Sequence, residues 1–67
     1  MRFIIVLGIG NQAIGYLESW HKEKNSFTVC NNKHFARYFT TEKACNTMIE
    51  KLNLSYPHIG CQIQRIL

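Results

Sequence analysis

The chain opens with an unbroken apolar run. Phe3-Ile4-Ile5-Val6-Leu7 follows Arg2, so both alternating sets, Phe3/Ile5/Leu7 and Ile4/Val6, are apolar. A strand over residues 2–7 with two apolar faces belongs at the centre of a sheet, or has its second face covered by something else. Gly8 to Gly15 then breaks the pattern with three glycines and Asn11-Gln12, which predicts a loop or wide hairpin turn. Residues 16–21 fit two readings. As a strand they pair with residues 2–7; as a helix they place Ala13, Leu17 and Trp20 on one stripe.

The polar stretch Lys22-Glu23-Lys24-Asn25-Ser26 predicts a turn, and Phe27-Thr28-Val29-Cys30 a half-buried strand. Asn31-Asn32-Lys33 is a second turn, and the aromatic stretch Phe35–Phe39 leads into the clearest element of the chain. Over about 41–53, Ala44, Cys45, Met48, Ile49 and Leu52 fall on one arc at helical spacing, with polar residues opposite. Thr40 is the expected N-cap, because its hydroxyl can accept from an unpaired amide of the first turn. Glu42 and Lys51 complement the helix dipole at the first and last turns. Pro57 stops the helix. Ile59, Cys61 and Ile63 alternate with Gly60, Gln62 and Gln64, which predicts a closing strand with one buried face.

The order is strand, strand, strand, helix, strand. It predicts an α+β fold (βββαβ): a small antiparallel sheet of three to four strands with one helix packed on one face. With 67 residues the chain is expected to form a single domain over residues 1–67. A domain this size buries only about 60% of the surface its unfolded chain exposes, which disfavours an enclosed catalytic pocket. Hydrophobic residues at 46% and charged residues at 18% indicate a globular chain. The apolar N-terminal run is short for a signal peptide and far short of the ~20 residues of a spanning helix, so no membrane association is expected. Three unpaired-looking cysteines, Cys30, Cys45 and Cys61, fit reduced thiols in a cytoplasmic setting.

These residues suggest four candidate chemistries. Gly8-Ile9-Gly10-Asn11-Gln12-Ala13 matches the dinucleotide fingerprint, but only if residues 13–22 form a helix. The acidic residue a ribose needs is missing, with Asn31 and Asn32 in its place, so no cofactor is expected. Cys30/His34 and His58/Cys61 could make a Cys₂His₂ zinc set, but core thiols and surface histidines explain them more simply, and no metal is expected. Cys30, Cys45 and Cys61 are possible nucleophiles with His21, His34 or His58 as bases, but a 67-residue domain rarely holds the water-excluding pocket such catalysis needs, so the chain is read as not an enzyme. Lys22, Lys24, Lys33 and Arg37 stand against Glu23 alone, with Trp20, Phe27, Phe35 and Tyr38 interleaved. That combination is compatible with nucleic-acid binding, although a formal net charge of +4 is a modest footprint.

Phe35-Ala36-Arg37-Tyr38-Phe39-Thr40-Thr41-Glu42-Lys43-Ala44, followed by Met48-Ile49 and Leu52, resembles a pattern in small uncharacterised bacteriophage proteins. In those an extended N-terminal segment and a hairpin, here Phe3-Ile4-Ile5-Val6 and Tyr16-Leu17-Glu18-Ser19-Trp20, precede the helix and a closing strand. The resemblance implies the strand reading of residues 16–20, and no catalytic residues. It further implies a protein that binds a host protein in the host cytoplasm and modulates or inhibits it, in host takeover or anti-defence. The expected contact is the sheet face the helix leaves open, with Ile4, Val6 and Tyr16 or Trp20, available to a host partner or a homodimer; the basic residues Lys22, Lys24, Lys33 and Arg37 are the second candidate surface.

Overall fold

A computed structural model of the chain describes residues 2–66. The strands β1 (Arg2–Ile9), β2 (Gln12–His21), β3 (Ser26–Cys30) and β4 (Ile59–Ile66) form one sheet in the order β3-β2-β1-β4, with every neighbouring pair antiparallel. The helix α1 (Glu42–Ser55) connects β3 to β4 and packs on one side of the sheet. This is the α+β arrangement, in the order βββαβ, that the hydrophobic pattern predicts. β1 is central, flanked by β2 and β4, and the residues resembling a signal-peptide core form that strand.

The first hairpin is tighter than the glycine-rich loop expected for residues 8–15. Ile9 pairs with Gln12, leaving only Gly10-Asn11 in the turn. Gly10 has φ +60°, a positive φ at the first loop position that favours glycine and suits the twist of a two-residue hairpin. The apparent surplus of chain is absorbed by a bulge: Leu7 pairs with Gly15 and Gly8 with Ala13, leaving Ile14 unopposed.

Residues 16–21 belong to β2, and a second bulge explains why they also fit a helix. Between Leu17 and Ser19 the register with β3 shifts, so Glu18 is extra. In a regular strand Leu17 and Trp20, three positions apart, point to opposite sides. The bulge brings both to the helix side, where Leu17 is fully buried and Trp20 packs against the core.

That core contains Phe3, Ile5 and Leu7 of β1, Leu17, Phe39, and Cys45, Met48 and Leu52 of α1; Ala44 and Ile49 flank it half-buried. The N-cap is Thr41 rather than Thr40. The Thr41 Oγ1 accepts from the Ala44 amide at 3.1 Å, and Glu42 occupies the first turn. The helix also runs two residues past the expected end, to Ser55. Lys51 therefore lies outside the last turn, which holds no basic residue.

Between β3 and α1 the chain returns to the middle of the sheet. After a 3₁₀ turn at Lys33–Phe35, capped by Asn32 Oδ1 accepting from the His34 amide, the Arg37 amide donates to the Leu17 carbonyl at 2.9 Å. Phe39 and Phe3 then exchange two backbone hydrogen bonds, both 2.8 Å. The segment fills the gap where β2 leaves β1, whose direct pairing begins only at Val6 and Tyr16. Ile4 and Ala36 are buried without belonging to the helix-side cluster, and the Arg2 guanidinium lies 5.2 Å over the Tyr38 ring. The returning segment thus covers part of the sheet face that one helix leaves open.

Candidate interaction surfaces

The residues expected to share one contact face are divided by this architecture. Ile4 has no exposed area and is part of the interior, which corrects its expected role as a contact. Val6 and Tyr16 are directly paired and half-buried, so they do lie together on the face away from the helix. Trp20 is on the other side, against the core. Beyond Val6 that open face is mainly polar. Val6 is flanked by Gln62, Ile4 pairs with Gln64, and the His21 Nε2 lies 2.7 Å from Thr28 Oγ1 and 3.2 Å from Ser19 Oγ. It is not the continuous apolar patch the two-faced strand predicted.

The basic residues form two groups. Lys22 and Lys24 occupy the β2–β3 turn, and Lys33 and Arg37 the return segment at the far end of β3. Five strand residues at about 3.3 Å each put about 17 Å between the two. The first group sits on a braced turn: Ser55 Oγ donates to Asn25 Oδ1 and Tyr56 Oη to the Asn25 carbonyl, both at 2.8 Å. Tyr56 also meets Phe27 edge-on, with ring centroids 4.9 Å apart. This holds the hairpin tip against the C-terminus of α1.

The second group brackets Phe35 in the chain. Phe35 is 67% exposed at the end of the 3₁₀ turn, next to Lys33, His34 and Arg37. Tyr38, itself 38% exposed, donates from Oη to the Lys33 carbonyl and carries Arg2 across its ring, while Arg37 lies 5.1 Å over the Phe39 ring. No acidic residue occurs in the sequence from Lys24 to Thr41. An aromatic side chain held away from the core beside basic residues in the chain has the chemistry of an interface anchor, since burying a large rigid ring contributes strongly at interface hot spots. The alternation of aromatic and basic residues was visible in the sequence, but which aromatics were core (Phe39, and Phe27 beside it) and which surface (Phe35) was not.

The glycine motif Gly8–Ala13 is the β1–β2 hairpin, with a strand rather than a helix after it, so it lacks the helix N-terminus on which a pyrophosphate would rest. A shallow depression of about 420 Å³ lies there, lined by Val6, Gly8, Gln12, Gly60 and Gln62 among others and by no charged side chain. Cys30 and Cys61 lie on strands at opposite edges of the sheet, and among the described residues no three His, Cys, Asp or Glu side chains gather. Burial raises the thiol pKa of Cys45, reinforced by the Glu42 carboxylate, and burial also raises that of Cys61. Both are therefore protonated, weak nucleophiles at neutral pH. Among the described residues no helix is long and apolar enough to cross a membrane. Comparison with known proteins finds no family model, curated relative or solved structure that matches the chain.

Proposed function

We propose that this protein acts by binding another protein rather than by catalysis, as a phage-encoded modulator or inhibitor of a host protein working in the host cytoplasm. The observation that carries the reading is Phe35, two-thirds exposed on a capped turn whose neighbouring chain positions include Lys33, His34 and Arg37. A small domain ordinarily uses its aromatic residues for its core, and one held outward at this cost in exposed apolar surface is accounted for by a partner that covers it. The resemblance to small bacteriophage proteins supplies the host and the setting. Three cysteines without disulfides are compatible with that compartment.

The test is capture of partners from bacterial lysate by the purified chain and by its Phe35→Ala variant, with and without nuclease. A protein retained stoichiometrically by the wild type, resistant to nuclease and lost with Phe35→Ala, supports the proposal. Equal retention by both chains refutes the role of Phe35. The second reading, a single-stranded nucleic-acid binder, draws on the same cluster, since Phe35 and Tyr38 offer stacking faces beside Lys33, Arg37 and Arg2. It predicts material lost on nuclease treatment and binding that weakens steeply with salt.

A further inference from the structure

The outer edge of β4 is a second interaction surface, independent of the Phe35 cluster, and its hydrogen-bonding groups can be assigned. Phe3 directs both its N–H and its C=O to Phe39, on the side of β1 away from β4. Its β4 partner Arg65 is therefore in a non-hydrogen-bonded pair and directs its own groups away from β1. The β1–β4 register runs from Arg2↔Ile66 to Ile9↔Ile59 without a shift, so the alternation continues along the strand. Ile59, Cys61, Ile63 and Arg65 all face the free edge. The Ile59 amide bonds there to the Tyr56 carbonyl at 3.2 Å, as this assignment requires. The amides of Cys61, Ile63 and Arg65 and all four carbonyls lie along the open edge.

We propose that this edge pairs with β4 of a second copy of the chain, antiparallel, about a two-fold axis at Gln62. An axis perpendicular to the sheet keeps helix-side residues together only if it passes through a residue, not between two. Centred on Gln62, each copy's Cys61, Ile63 and Arg65 amides meet the partner copy's Ile63, Cys61 and Ile59 carbonyls, three bonds per copy. The side chains of Ile59, Cys61 and Ile63, half-buried at the rim of the core, then continue it across the junction, Cys61 against Ile63. Centring on Ile63 would instead set each Arg65 against Cys61. The two Arg65 residues, the strand's sole charges, lie six positions apart in the Gln62 register, about 20 Å, beyond effective screened repulsion.

β4 also lacks the devices that protect edges. It has no proline, no bulge and one charge over eight residues. β3, the other edge, has five residues, stands opposite a bulge and is bounded by turns carrying Lys22, Lys24 and Lys33. The occupant that matches β4 in length, charge and hydrogen-bonding phase is β4 itself, and the product is a continuous eight-stranded sheet.

The test is solution mass by light scattering or sedimentation over a concentration series, with reductant present. The wild type should pass from 7.8 kDa to twice that mass. Arg65→Pro removes an outward donor and blocks close approach without costing the monomer a ladder bond, and should weaken dimerisation about tenfold or more. Gln62→Lys and Gln62→Glu, at an exposed site, should each weaken it by up to about fivefold, and an equal mixture of the two should form the heterodimer preferentially. Circular dichroism establishes that each variant is folded. A wild type that stays at 7.8 kDa up to its solubility limit overturns the proposal, as does a dimer unaffected by Arg65→Pro. A dimer sensitive to Arg65→Pro but indifferent to both Gln62 variants overturns the Gln62 register.

Discussion

Gly15 and Gly10 allow one substitution to separate backbone strain from steric collision. Both have positive φ, +142° at Gly15 and +60° at Gly10. A Cβ at Gly10 would have nothing within 4 Å, so Gly10→Ala carries only the left-handed backbone cost, about 1–2 kcal/mol. A Cβ at Gly15 would lie 2.6 Å from the Cys30 carbonyl oxygen and 3.0 Å from Val29 Cγ1. The oxygen belongs to the backbone, next to the Tyr16↔Cys30 pair, so relief requires β2 and β3 to separate. Strain of about 1–3 kcal/mol and overpacking of about 1–3 kcal/mol together predict a loss of roughly 2–6 kcal/mol. At about 0.05–0.15 kcal/mol per residue, a chain of this length has only about 3–10 kcal/mol in total. Gly15→Ala should therefore bring the protein close to unfolding, whereas Gly10→Ala remains folded. Urea denaturation followed by circular dichroism measures both, with an unchanged m-value as the check that a single two-state transition is being compared. If Gly15→Ala costs no more than Gly10→Ala, the close β2–β3 approach at Gly15 is wrong.

Leu52, with no exposed area, should lose about 2–5 kcal/mol on Leu52→Ala, and the half-buried Ile49 clearly less on Ile49→Ala; a larger loss at Ile49 would mean that the helix is rotated about its axis. Thr41→Ala should cost about 1 kcal/mol through the lost cap and Thr40→Ala less than about 0.5 kcal/mol, and thermal or chemical denaturation giving the reverse order would return the cap to Thr40.

The periodic segments were legible because their signal is local. The arc Ala44–Leu52 and the alternation Ile59–Ile63 each record one element with one buried side, and a helix or a strand is the regular backbone that puts such residues on one side. The two apolar sets of β1 likewise required cover on both faces. The candidate surface was legible only in its ingredients, a run of aromatic and basic residues without acids between Lys24 and Thr41.

Long-range pairing decided the rest. Leu17 and Trp20 have helical spacing yet share a face of a strand, because a bulge at Glu18 adds one residue, and that bulge exists only in register with β3. Thr40 and Thr41 are both suitable caps. The helix starts after Thr41 because Phe39 is held in the sheet by Phe3, 36 positions away in the chain, which sets where the chain is free to turn. The same pairing draws residues 36–39 to the gap between β1 and β2, where Ala36 is buried, and leaves Phe35 outside. Hydrophobicity in a sequence states how much surface must be covered. Which residue covers it depends on contacts between segments far apart in the chain, and those form together only when the whole sheet is in register.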